Sequence, residues 1–149
     1  MRNFLGTKAS VAQSTILIAV ATILFSGCSG PSGQIEISRL TCEYIENPMG
    51  IETPLPRLGW ELISGTNGQH QTAYQVLVSQ SPGSLSEADA EIWNSGRVDG
   101  SSNLNISFGG NELIAKTTYW WKVKVWDRDG FPSEWSDPAI FETDRKAHV

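Results

Sequence analysis

Tyr119, Trp121, Val123 and Val125 occupy one set of alternate positions along the chain, and Trp120, Lys122, Lys124 and Trp126 occupy the other. Successive side chains of an extended strand point to opposite faces. The pattern therefore predicts a strand with one dry face and one face on which lysines stay wet. Leu113 stands six residues ahead of Tyr119.

Comparable runs recur with turn signals between them. A first strand is predicted over 35–43, with Ile35 and Ile37 in phase, and a second over 57–63, with Leu58, Trp60 and Leu62 on one face. Residues 73–80 place Tyr74, Val76 and Val78 inward. Shorter strands are predicted at 92–98 and 105–108, and the strand opening at Tyr119 and a last one over 135–142 complete seven. The connection NPMG at 47–50 and PLP at 54–56 is punctuated by proline and cannot be a central strand. Residues 84–90 predict a short helical turn capped by Ser84 and Ser86. Seven such strands, with a leucine and a tyrosine leading into the penultimate one, predict an all-β fold. The expected architecture is a seven-stranded antiparallel β-sandwich of the fibronectin type III or immunoglobulin-like kind.

The sandwich does not account for the start of the chain. Arg2 and Lys8 precede a short apolar run at 16–25, and Ser26 and Gly27 precede Cys28. This reads as a signal helix over 1–27. A permanent membrane span needs about 20 apolar residues, more than are present. The alternative, a buried helix opening a cytosolic domain, lacks an amphipathic pattern around the run. LFSGC at 24–28 is similar to a bacterial lipobox, with Phe25 bulkier than is usual there. The expectation is therefore an exported lipoprotein of the bacterial cell envelope, membrane-anchored through acyl chains on Cys28. Residues 28–34 would be a flexible tether, 35–143 the sandwich and 144–149 a charged tail. Cys42 is then the one remaining cysteine, so no intrachain disulfide is expected.

Two of the eleven basic residues lie in the leader and none of the sixteen acidic ones. The mature part holds nine against sixteen, a net charge of −7. That acidity argues against nucleic acid as a partner. Candidate chemistry is sparse. Asp127 with Asp129, and Glu134 with Asp137, are carboxylate pairs of the kind a glycoside hydrolase needs, but hairpin turns hold such residues for backbone reasons. DRDG at 127–130 opens like a calcium loop and lacks its later ligands. His70 and His148 have no second ligand at metal-binding spacing, so no metal or other cofactor is expected. Trp120, Trp126 and Trp135 remain as candidates for an exposed aromatic surface that stacks on sugar, covers the sheet or docks another domain. Trp135 is expected to lie across Lys122 and Lys124.

Five stretches carry a closer likeness: TCEYIENPMGI at 41–51, PRLGWE at 56–61, QTAYQVLV at 71–78, IWNSG at 92–96 and YWWKVKVWD at 119–127. In this order they resemble the opening of bacterial α-L-rhamnosidases of glycoside hydrolase family 78. The resemblance covers nearly all of 35–143. It implies a type III sandwich that, in those enzymes, precedes further β-sandwich domains and an α/α-barrel holding the catalytic carboxylates. No catalytic residue carries over, because the barrel has no counterpart in this chain. The resemblance thus implies a non-catalytic N-terminal accessory module, as a truncated or split reading frame would leave it, serving as spacer and domain-packing unit. Its implied partners are the membrane and the catalytic domains of a rhamnosidase, which hydrolyses terminal α-L-rhamnose with inversion. Rhamnose-containing glycans are a further candidate partner. The competing expectation is a free-standing carbohydrate-binding or adhesion lipoprotein that uses its tryptophans.

Overall fold

A computed structural model describes residues 35–144. The leader, Cys28, the tether and residues 145–149 of the tail lie outside them. The described chain is all-β apart from a 3-10 turn at Pro82–Ser84. Its strands are β1 (Glu36–Cys42), β2 (Arg57–Ile63), β3 (Ala73–Ser79), β4 (Trp93–Asn94), β5 (Val98–Asp99), β6 (Ile106–Ser107), β7 (Thr118–Trp126) and β8 (Ala139–Glu142). They form two antiparallel sheets. One has the order β1-β2-β6, and the other β4-β3-β7-β8 with β5 also paired to β3.

The alternation read from the sequence decides which face of β7 is dry. Tyr119, Trp121, Val123 and Val125 are fully buried, while Trp120, Lys122, Lys124 and Trp126 are half-buried on the outside. The inward residues meet Val76 and Val78 of β3, Leu58 and Trp60 of β2, and Leu113, Phe108 and Phe141 in a single core. Fully burying a side chain of this size stabilises the fold by about 1.5–3 kcal/mol, so no disulfide is needed. Tyr119 fixes the approach to β7: its hydroxyl oxygen accepts the Ile114 N–H at 2.7 Å, and its ring stacks on Phe141 at 5.3 Å. Leu113, six residues upstream, is fully buried beside it.

Four features differ from the sequence pattern beyond shifts of a residue at strand ends. The single strand expected at 92–98 is two short ones, because Ser95 turns its hydroxyl to accept the Val76 N–H and Gly96 adopts φ +60°. The sandwich therefore has eight strand segments in place of seven. The last strand begins at Ala139 rather than at 135. Pro138 has no N–H for a ladder, and Ser133 and Ser136 use their hydroxyls to accept the N–H groups of Val125 and Val123, both at 3.1 Å. The 3-10 turn at Pro82–Ser84 is capped by Ser81, not Ser84, whereas the Ser86 hydroxyl does accept the Asp89 N–H at 3.1 Å. Finally, β3 is buried on both faces, Leu77 and Gln75 included. Glu87 reaches Lys124 on the outer face, so the loop after β3 lies across that side of the sheet.

Chain direction is set by the pairings. Glu36 faces Ile63 at one end of the sandwich, and Cys42 faces Leu58 at the other. Ile51 bridges Thr143 at that second end. The described chain enters at Ile35 and leaves at Asp144 from opposite ends.

Candidate functional site

The outer face of β7 carries a stack of rings and cations. The Trp135 ring centroid lies 4.5 Å from Lys124 Nζ and 4.9 Å from Lys122 Nζ. Trp126 lies 5.3 Å from Lys124 Nζ and 4.9 Å from Arg97 Cζ. Two indoles and three cations thus run in the order Arg97, Trp126, Lys124, Trp135, Lys122. Glu87 accepts a hydrogen bond from Lys124 at 2.7 Å. Burial, reinforced by the neighbouring Lys124 charge and opposed by Glu87, lowers the Lys122 pKa below the usual lysine value.

Local chemistry explains how Trp135 gets there. Ser133 and Ser136 tie 133–136 to β7 through both main chain and hydroxyl, with Ser133 N–H to Val125 O at 2.8 Å and Ser136 N–H to Val123 O at 2.9 Å. The serines point at the sheet, and Trp135 lies back across the two lysines. Each ring–cation contact contributes roughly 0.5–1 kcal/mol at an exposed site. A ring face covered by an ammonium group is not available to stack on a sugar.

The three candidate tryptophans do not make one platform. Trp126 and Trp135 meet through Lys124, whereas Trp120 sits further along β7, opposite Ser79 and Ile140 in the ladder. Arg97 and Glu87, which complete the stack, were not singled out from the sequence. They come from loops remote in the chain, and an isolated arginine or glutamate in a polar segment carries no signal.

Trp135 also forms a wall of an open groove of about 520 Å³ between the start of β1 and the 134–137 segment. Ile35, Ile37 and Ile63 supply its apolar surface, and Glu36, Glu134 and Asp137 its carboxylates. The other carboxylate pair is structural: Asp127 is buried, and its Oδ1 accepts the N–H groups of Asp129 at 3.0 Å and Phe131 at 2.9 Å. This is the plain turn expected of DRDG. No group of three or more metal-capable side chains gathers among the described residues. His70 is exposed in its loop, with Nδ1 3.3 Å from Gly68 O, and His148 lies outside the described residues. The Cys42 thiol is buried, and desolvation, with Glu43 adding to it, pushes its pKa up to about 12. A thiol so held is no nucleophile at neutral pH.

Comparison with known proteins accounts for this architecture. Residues 37–145 match the family model described as "Rha78A-like, N-terminal immunoglobulin domain". The chain is 38% identical over 109 residues to an alpha-L-rhamnosidase of Streptomyces avermitilis, covering 73% of this chain and 10% of that protein. It is 41% identical over 108 residues to an alpha-L-rhamnosidase of Formosa agariphila, covering 72% and 11%. The crystal structure of Streptomyces avermitilis alpha-L-rhamnosidase complexed with L-rhamnose superposes with a TM-score of 0.72 at 36% identity, over 75% of this chain and 11% of that one. The chain therefore spans about a tenth of the length of these relatives. What it shares with them is the immunoglobulin domain alone, and by itself it is a non-catalytic module. The chain belongs to the family of Rha78A-like N-terminal immunoglobulin domains.

Proposed function

We propose that this chain is the accessory module of an exported α-L-rhamnosidase-like protein of the bacterial cell envelope, anchored by acyl groups on Cys28 and holding the catalytic domains away from the membrane. The observation that carries the reading is the placement of Ile35 and Asp144 at opposite ends of a sandwich whose family is the N-terminal domain of rhamnosidases. A domain entered at one end and left at the other adds its full length to the reach of a tether. Nine residues of β7 at about 3.3 Å each give a span of ~30 Å. The parent chemistry, hydrolysis of terminal α-L-rhamnose, belongs to the polypeptide C-terminal to this module in the relatives.

Fractionation of cells expressing the full chain tests the anchor. The wild type is expected in the membrane fraction and Cys28→Ala in the soluble one. A Cys28→Ala protein that remains membrane-bound, or a wild type that never reaches the membrane, defeats the anchoring part. Assay against an aryl rhamnoside tests the division of labour: turnover by this chain alone would contradict a purely accessory role.

A second reading rests on the groove beside Trp135, where an aromatic wall stands next to carboxylates able to accept hydroxyl protons. In that case the module binds glycans itself. Titration of residues 35–144 with rhamnose-containing oligosaccharides separates the two. Saturable binding lost in Trp135→Ala with the fold intact favours the second reading, and no heat at millimolar sugar favours the first.

A further inference from the structure

We infer that the loop-built end of the sandwich around Met49 and Ile114 is the surface on which the next domain of an α-L-rhamnosidase docks; this rests on the reading of the chain as the N-terminal module of such a protein. The two ends of the sandwich differ in composition. Eight large hydrophobic residues are exposed among the described residues, and five of them, Tyr44, Ile45, Met49, Leu55 and Ile114, lie in the loops at the end where the chain leaves. Met49 is the most exposed of all, at 77%. Scattered exposed hydrophobics are ordinary, but their concentration at one end of a small domain marks a surface that another body covers.

Hydrogen bonds place this surface directly beside the exit. On one side of the last strand, Glu142 N–H donates to Pro48 O at 2.9 Å, Ile51 N–H to Glu142 O at 2.8 Å and Asp144 N–H to Ile51 O at 2.9 Å. On the other side, Thr143 Oγ1 donates to Ile114 O at 2.6 Å, and Lys116 N–H to Thr143 O at 3.0 Å. The chain thus leaves between Met49 and Ile114, both carried on backbone pinned to the final strand. The surface is preformed, so covering it costs little ordering entropy.

The relatives supply the occupant. The family domain is N-terminal and its match reaches residue 145, while about nine-tenths of each relative lies outside it. In the relatives, the polypeptide that follows the domain therefore emerges at the end of the sandwich where Asp144 leaves. A domain tethered at that point is held at raised effective concentration beside this apolar end.

Hydrogen exchange tests the assignment. Residues 37–145 would replace the immunoglobulin domain of the Streptomyces avermitilis enzyme, and exchange would be compared with that of the isolated chain. Slower exchange in the graft is expected in loops 43–56 and 109–117, with 64–72 and 95–102, at the opposite end, unchanged. Met49→Asp with Ile114→Asp should abolish that protection while leaving the melting temperature of the isolated chain unaltered. Protection appearing at 64–72 or 95–102 instead would overturn the assignment of the surface but leave domain packing intact. No protection anywhere would remove the packing reading as well. If the graft does not fold, the same comparison between the intact Streptomyces enzyme and its own excised domain decides the matter, with unprotected counterparts of the two loops counting against the proposal.

Discussion

Ser136 accepts the Val123 N–H through its hydroxyl at 3.1 Å while its own N–H donates to Val123 O at 2.9 Å. One residue thereby satisfies both backbone groups of its neighbour on β7 without a regular ladder. Ser133 does the same for Val125. These two serines leave Trp135 free to lie on Lys122 and Lys124.

Ser136→Ala removes the hydroxyl acceptor of the buried Val123 N–H. Leaving such a donor unsatisfied costs about 1–3 kcal/mol. Urea unfolding of Ser136→Ala should show a loss in this range, and a change below about 0.5 kcal/mol would mean that the hydroxyl is not the acceptor.

The contact between Trp135 and Lys124 should be measurable by a double-mutant cycle. Comparing Trp135→Ala, Lys124→Met and the double variant should give a coupling energy of about 0.5–1 kcal/mol. Additive single effects would remove the cation–π account.

Tyr119→Phe keeps the ring on Phe141 but deletes the acceptor for the Ile114 N–H. A loss of about 1–2 kcal/mol is expected in thermal or urea unfolding. Faster amide exchange at Ile114 should accompany it.

Cys42 links stability to alkaline pH. The native thiol holds its proton to about 12, whereas the unfolded one loses it near the ordinary 9.0. The raised native pKa means that its contribution is fully present below pH 9 and is lost as pH rises towards about 12. Cys42→Ala should flatten the decline over that interval. In the native wild type, Cys42 should resist a thiol reagent at about pH 8 and react once urea unfolds the chain.

Glu43 acts at the other limit. Hydrogen bonds from the Arg57 guanidinium, chiefly, hold its carboxyl below the usual 4.5 against an opposing desolvation effect. The lowered native pKa means that its contribution is present above pH 4.5 and disappears as pH falls through the depressed value. Glu43→Gln should lower stability at neutral pH and reduce its dependence on pH in the acid range. An acid limb unchanged by the substitution would exclude this pair as its source.

The fold was legible because its strongest signals are local. A strand repeats every two residues, so Tyr119, Trp121, Val123 and Val125 declare the dry face of β7 within a window of seven residues. The leading Leu113 and the five family stretches set its type and relatives in the same way. Tertiary contacts decided what alternation could not. The last strand is read from the sequence as starting at Trp135, yet the hydroxyls of Ser133 and Ser136 replace the ladder there, and β8 starts only after Pro138. Arg97 and Glu87 joined the tryptophans because loops brought them over the sheet from positions far away in the chain. The exposure of Met49 and Ile114 on either side of the exit likewise depends on hydrogen bonds between the last strand and two separate loops. Periodicity is a property of neighbours along the chain, and a surface is assembled from residues that become neighbours only on folding.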